Sequence, residues 1–252
     1  MNIEVLYEDN DILVCRKPAG IAVQSSSVTS SDMETQLRSQ ILRSGTFKSR
    51  NTILHVVHRL DQPVEGIIVF ARTKKAAASL SRQVQADGDM NKTYLAVVYG
   101  AFSENEKEGE LLNYLYRDTA TKMAVITDTE DKNKGSKRCS LTYKVLSEKD
   151  INDISVNNVV DFEDNKDSEK ISLVEIHLQT GRYHQIRAQF AEAGHPLLGD
   201  RRYCSEQSDE VSARLRVRNV ALCACSLSFN HPVTNERLEF EIEPEDLIFE
   251  KI

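Results

Sequence analysis

The chain has 252 residues, 40% of them hydrophobic, which is enough to bury a core as one large domain or two small lobes. Its formal net charge of −7 argues at first sight against a polyanionic partner. No apolar stretch approaches the roughly 18 residues of a membrane span, and Met1-Asn2-Ile3-Glu4 lacks the basic region and apolar core of a signal peptide.

Ile12 to Cys15 reads as a short buried strand ending in the turn Lys17-Pro18-Ala19-Gly20. Ser31-Asp32-Met33-Glu34 has capping-box spacing, and Met33, Leu37 and Ile41 follow at helical period up to Gly45. Gly66–Ala71 is an apolar strand. Thr73 then caps a helix carrying Ala76, Ala77, Leu80 and Val84, stopped at Gly88. Tyr94–Tyr99, Met123–Thr127, Cys139–Leu146, Ile171–Leu178, Val220–Phe229 and Arg237–Glu243 read as strands. Residues 147–170 are acidic, Asn-rich and without periodicity, and are expected to form a flexible exposed loop between two antiparallel strands. Many strands with few helices indicate an α+β fold with a largely antiparallel sheet.

Five cysteines, an odd number without framework spacing, fit a reducing cytoplasm. Cys223 and Cys225 have no second Cys or His pair at a ligand spacing, so no metal is expected.

Charge is unevenly spread. Residues 148–170 carry Glu148, Asp150, Asp153, Asp161, Glu163, Asp164, Asp167 and Glu169 against three lysines. Residues 35–82 carry Arg38, Arg43, Lys48, Arg50, Arg59, Arg72, Lys74, Lys75 and Arg82 against Asp61 and Glu65. A local field acts within a Debye length of about 8–10 Å, so this basic block can receive a polyanion despite the net charge. An ordinary solvated helix face would have the same composition.

His58-Arg59-Leu60-Asp61 lies inside that block, between the apolar run Ile53–Val57 and the strand Gly66–Ala71. The pair could be a surface ion pair worth roughly 0–1 kcal/mol. It could equally serve a nucleotide, the arginine pushing on it while the aspartate attacks. Two further segments favour the second reading. One is Lys92-Thr93-Tyr94-Leu95-Ala96-Val97-Val98-Tyr99-Gly100. The other is Thr180-Gly181-Arg182-Tyr183-His184-Gln185-Ile186-Arg187, continuing through Gly194-His195-Pro196 to Gly199-Asp200-Arg201-Arg202-Tyr203.

In that order the three segments resemble the RluA-type pseudouridine synthases, whose pattern is HRLD-x-x-T-S-G, K-x-Y-x-A-x-V-x-G, then G-R-x-H-Q-I-R followed by G-x-P-x-x-G-D-x-x-Y. Leu6-Tyr7-Glu8-Asp9, Lys17-Pro18-Ala19-Gly20 and Leu227-Ser228-Phe229-Asn230-His231-Pro232-Val233-Thr234 resemble the family's flanks, so the likeness spans about residues 5–249. It implies a pseudouridine synthase fold of two lobes around a central cleft. It further implies a single catalytic domain over 1–252 without an N-terminal RNA-binding module, acting on rRNA or tRNA as a cytoplasmic monomer with no cofactor, metal or membrane.

The same resemblance makes Asp61 the essential carboxylate, attacking C1′ or removing a sugar proton. Tyr94 becomes the residue that handles the base, and Arg187 the guanidinium that keeps Asp61 ionised. Arg59 fills the gap left by the flipped uridine, and His58, Lys74, Lys75, Arg82, Arg182 and His184 are grouped with it as RNA-contacting, although a structural hydrogen bond also suits His58. His184 and Arg187, three apart, would share a helix face packed through Ile186, Phe190 and Ala193. The family's Thr-Ser is Val64-Glu65 here, which sets a second carboxylate near Asp61 that could raise its pKa. A non-catalytic RNA-binding protein of the same fold is the alternative. A glycoside hydrolase fits poorly, because that chemistry needs two acids flanking the bond and the chain has no Trp sugar platform.

Overall fold

The computed structural model describes residues 2–25, 32–44, 53–85, 88–154 and 169–252. In chain order its elements are β1 Glu4–Glu8, β2 Ile12–Lys17, α1 Met33–Ser44, β3 His55–Val56, β4 Glu65–Ala71, α2 Lys74–Gln83, β5 Asn91–Tyr99, β6 Glu108–Arg117, β7 Ala124–Thr127, β8 Lys137–Asp150, β9 Lys170–Leu178, α3 Gln185–Glu192, α4 Glu206–Arg214, β10 Leu222–Asn230 and β11 Arg237–Glu241. The fold is α+β with a largely antiparallel sheet, as the strand-rich pattern predicts. Two compact units divide the chain: Met1–Lys92 with Ala224–Glu243, and Thr93–Cys223 with Pro244–Ile252.

In the first unit β2 pairs antiparallel with both β1 and β4. Residues of β2 and β4 alternate between two buried faces, because successive strand side chains point opposite ways. Leu13, Cys15, Ile68 and Phe70 pack under α1 with Met33, Leu37 and Ile41. Ile12, Val14, Ile67, Val69 and Ala71 pack under α2 with Ala76 and Leu80. Each such aliphatic side chain contributes roughly 1.5–3 kcal/mol by leaving water. That explains the unbroken apolar run of β4, which is buried at all of its residues. Gly66 has φ +141°, and a Cβ there would lie 2.5 Å from the Ala224 Cβ, so a side chain at 66 would collide with its neighbouring strand.

In the second unit β9 pairs with β5 on one side and β8 on the other, and β8 continues through β6 to β7. Helix α4 packs Val211, with Leu215 beyond its end, against Val97, Ile171, Leu198 and Ala221.

Several boundaries differ from the sequence reading. Asp32, not Ser31, caps α1 in the described residues: its carboxylate accepts from Thr35 N at 2.8 Å and from Ser25 N at 2.7 Å. Ser31 itself lies outside them. Thr73 caps α2 as expected, accepting from Ala76 N at 3.1 Å. The loop expected from 147 begins later, since β8 continues to Asp150 and a single 3-10 turn follows at Ile151–Asp153. Most of the acidic stretch, 155–168, lies outside the described residues. The strands β1 and β6 and the helix α4 were not anticipated. Ser205 caps α4 in a box closed by Ser208 rather than by the usual Glu or Gln, and the acid-rich β6 hides its alternation.

Candidate active-site residues

Asp61 opens a tight turn into β4, its carbonyl accepting from Val64 N at 3.1 Å. Neither residue of the interior, Gln62-Pro63, can hold this turn by packing, because Gln62 is exposed and Pro63 only half-buried. A lysine holds it from below. Lys17, the last residue of β2, is 0% exposed, and its ammonium donates to the carbonyls of Pro18 at 3.1 Å, Gln62 at 3.0 Å and Val64 at 2.6 Å. All three N–H donors are thereby used. The turn is stitched a second time by Gly20 N donating to the Gln62 carbonyl at 2.9 Å and Gln62 Nε2 donating to the Gly20 carbonyl at 3.0 Å. Burial pushes Lys17 down to about 7, and the carboxylates of Asp61 and Glu65 act against that.

Sequence reasoning placed Lys17 in a turn and in a family-like flank but gave it no role. The signal was a lysine ending an otherwise buried strand, directly before a proline. Glu65 is also buried, 5% exposed, with Arg16 Nη2 at 4.0 Å. Its charge therefore sits among cations as well as near Asp61.

His58 presents Nε2 to the backbone N of Val69 at 3.2 Å, so the ring is an acceptor that anchors the Arg59-bearing loop to β4. Burial, aided by the charge of Lys92, pushes its pKa down to about 3 and keeps it neutral. Arg59 is exposed beside it. Lys74, Lys75 and Arg82 are exposed on α2. Two lysines in the first helical turn oppose the helix dipole, at a cost of typically 0.3–1 kcal/mol each, so they are not there for the helix. Other members of the basic block are committed elsewhere: Arg72 reaches Glu8 at 2.9 Å and the Asp9 carbonyl at 2.6 Å, and Arg38 pairs with Glu34 at 2.6 Å. Lys48 and Arg50 lie outside the described residues.

In the second unit Tyr94 is buried in β5, opposite Ile176 of β9. The lead-in to α3 is built by Gln185, whose Oε1 accepts from Arg182 N at 3.0 Å and Thr180 Oγ1 at 2.8 Å. His184 precedes the helix with φ +52°, ψ +28°, so it is not on a shared helix face with Arg187. The two still converge, on Tyr203. His184 Nδ1 lies 2.9 Å from the Tyr203 hydroxyl, and the Arg187 guanidinium sits 5.2 Å over its ring. Ile186 and Phe190 are buried as expected, whereas Ala193 is the exposed C-cap. Arg182 donates through Nε to the Arg138 carbonyl at 3.2 Å.

Within this unit Arg187 is gripped bidentately by Asp200, Nε to Oδ2 at 2.6 Å and Nη2 to Oδ1 at 2.8 Å, with both side chains nearly inaccessible. Asp200 Oδ1 also accepts from Arg202 N at 2.9 Å. Such a fork fixes the plane of the guanidinium. Asp200 and Tyr203 are thus positioning residues that the spacing Gly199-Asp200-x-x-Tyr203 already contained. Among the described residues no cluster of His, Cys, Asp and Glu could hold a metal ion, and no helix is long and apolar enough to cross a membrane.

A family model described as RNA pseudouridylate synthase matches residues 11–192. Ribosomal large subunit pseudouridine synthase C of Buchnera aphidicola subsp. Schizaphis graminum (strain Sg) is 27% identical over 97% of this chain and 68% of its own. An uncharacterized RNA pseudouridine synthase of Bacillus subtilis (strain 168), YhcT, is 31% identical over 95% of this chain and 68% of its own. Among solved structures, human RNA pseudouridylate synthase domain containing 4 aligns with TM-score 0.68 at 19% identity, covering 97% of this chain and 90% of that one. Human RNA pseudouridylate synthase domain containing 1 aligns with TM-score 0.66 at 20% identity, covering 96% and 84%. These two establish the fold, and the matched segment contains the Asp61 turn, Tyr94 and Arg187: the chain belongs to the RNA pseudouridylate synthase family.

Proposed function

We propose that this enzyme isomerises a uridine in structured rRNA or tRNA in the cytoplasm, with Asp61 acting at the sugar, Tyr94 handling the base and Arg187 supplying the positive charge. The reaction breaks C1′–N1, turns the base and forms C1′–C5. No atom is added and no electron is lost, so the proposal requires neither metal nor cofactor. Arg59, Lys74, Lys75, Arg82, Arg182 and His184 contact the RNA, and His58 orients the Arg59 loop. The protein acts as a monomer.

The observation that carries the reading is the Asp61 turn, two of whose carbonyls, Gln62 and Val64, are held by buried Lys17. A group that must act on one carbon within a fraction of an ångström needs such backing. The rRNA target is supported by the names of relatives, which include ribosomal large subunit pseudouridine synthases C and D.

Tritium release from C5-labelled uridine transcripts, in excess chelator, is the test. Wild-type protein releases tritium, and Asp61→Ala abolishes release while RNA affinity stays within several-fold, since the carboxylate contacts no phosphate. Absence of release from every rRNA and tRNA transcript would sink the proposal. It would leave the non-catalytic RNA-binding alternative standing.

A further inference from the structure

The second unit carries a basic face that the proposed catalytic chemistry does not use. Strands β6 and β7 are joined by residues 118–123, closed by Asp118 N donating to the Met123 carbonyl at 2.8 Å. Arg117 precedes this loop and Lys122 lies within it, and both are exposed. The loop is pinned from outside: the Lys122 carbonyl accepts from the Tyr183 hydroxyl at 3.1 Å and from Arg202 Nη1 at 3.3 Å. Tyr183 stacks on His184, ring centroids 3.7 Å apart, and the Arg117 guanidinium lies 4.6 Å from the Tyr183 centroid. With one ring face covered by the imidazole, Arg117 occupies the other.

These contacts gather Arg117, Lys122 and Arg202 about one aromatic ring, that of Tyr183. The acid of the loop, Asp118, has its carboxylate turned to the backbone N–H groups of Ala120 and Thr121 at 2.7 and 3.1 Å. Its charge is thus spent on the loop. The side chains of Arg117 and Lys122 make no hydrogen bond or ion pair among the described residues, so their donors face solvent. A stacked guanidinium is held in one plane, which suits it to the oxygens of a phosphate. In a chain of net charge −7, three bases with no ion pair among the described residues, gathered at a stacked tyrosine, are not general solubilising charge.

We infer that this face binds the phosphate backbone of the substrate RNA outside the target nucleotide, with Arg117 and Lys122 as the contacts and Tyr183 as the residue that orients Arg117. The inference rests on the RNA-modifying function proposed above and names where its substrate is held.

The test is filter binding of a uridine-containing stem-loop transcript across a salt series, using the full chain with Arg117→Gln and Lys122→Gln combined. Affinity should fall about tenfold or more at 0.1 M salt, and the slope of log affinity against log salt should flatten by about 1–2. The charge-keeping pair Arg117→Lys and Lys122→Arg should bind within about threefold of wild type. Unchanged affinity and slope in the Gln variant would overturn the inference. So would a charge-keeping variant as weak as the Gln variant, because the effect would then not be electrostatic. Binding requires no turnover, so this result stands apart from the tritium-release assay on the same wild-type preparation, where failure would count against the proposed reaction instead.

Discussion

At the scale of single residues, Lys17 and His58 show how polar groups are buried to serve one loop. Replacing Lys17 by Met keeps its length but leaves the carbonyls of Pro18 and Val64 without their lysine donor, and that of Gln62 with Gly20 N alone. Unsatisfied buried acceptors cost about 1–3 kcal/mol each, and relief of the ammonium's desolvation offsets only part of that. Urea unfolding of Lys17→Met should show a loss of about 2 kcal/mol or more; an unchanged midpoint would mean the two effects cancel. His58 titrates with the opposite consequence from a salt-bridged base. Its folded pKa is about 3 against an ordinary 6.5, so between those values the unfolded chain binds a proton that the folded chain refuses. Stability is therefore lost as pH falls through that window, by at most about 1.4 kcal/mol per pH unit. His58→Gln retains an acceptor for Val69 N but cannot titrate, so its acid limb should be flatter than wild type in denaturant melts from pH 7 to pH 3. Parallel limbs would refute the assignment.

At the scale of elements, α2 and α3 do different work with similar residues. Helix α2 buries Ala76 and Leu80 against β4 and turns Lys74, Lys75 and Arg82 to solvent. Because the two lysines oppose the helix dipole, removing their charge does not in itself weaken the helix. Lys74→Ser, Lys75→Ser and Arg82→Ser together should lower the unfolding midpoint slightly at most, since relief of the dipole clash at the first turn offsets the loss of Arg82 at the last turn and the lower helix propensity of Ser. The triple variant should also weaken RNA binding and flatten its salt dependence by up to about 3. A salt slope equal to wild type would remove α2 from the RNA-binding surface. Helix α3 instead buries its charge: Arg187 is locked onto Asp200 and covered by Tyr203, a rigid cation rather than a mobile one.

At the scale of the whole molecule, the proposed function has a chain of net charge −7 bind a polyanion, and assigns that binding to its local basic faces. The sequence by itself determined the family, the reaction class, the α+β strand-rich pattern and most strand positions. Those follow from motif order and from periodicities that repeat within a few residues. It left β6 and α4 unseen, because β6 carries its acids Glu108 and Glu110 at exposed positions of a strand with little buried face, and α4 is opened by a Ser-Ser box. Only the tertiary structure decided which polar groups meet. Lys17 finds Val64 47 positions away, and Arg187 finds Asp200 after the chain has turned through Gly194-His195-Pro196. It also withdrew Arg72 and Arg38 from the basic block by pairing them with Glu8 and Glu34, and it moved His184 off the helix into a left-handed conformation. The physical reason is common to all of these: a local pattern reports which face a side chain lies on, whereas a hydrogen-bond partner is set by the packing of distant segments, and burial makes that partner obligatory.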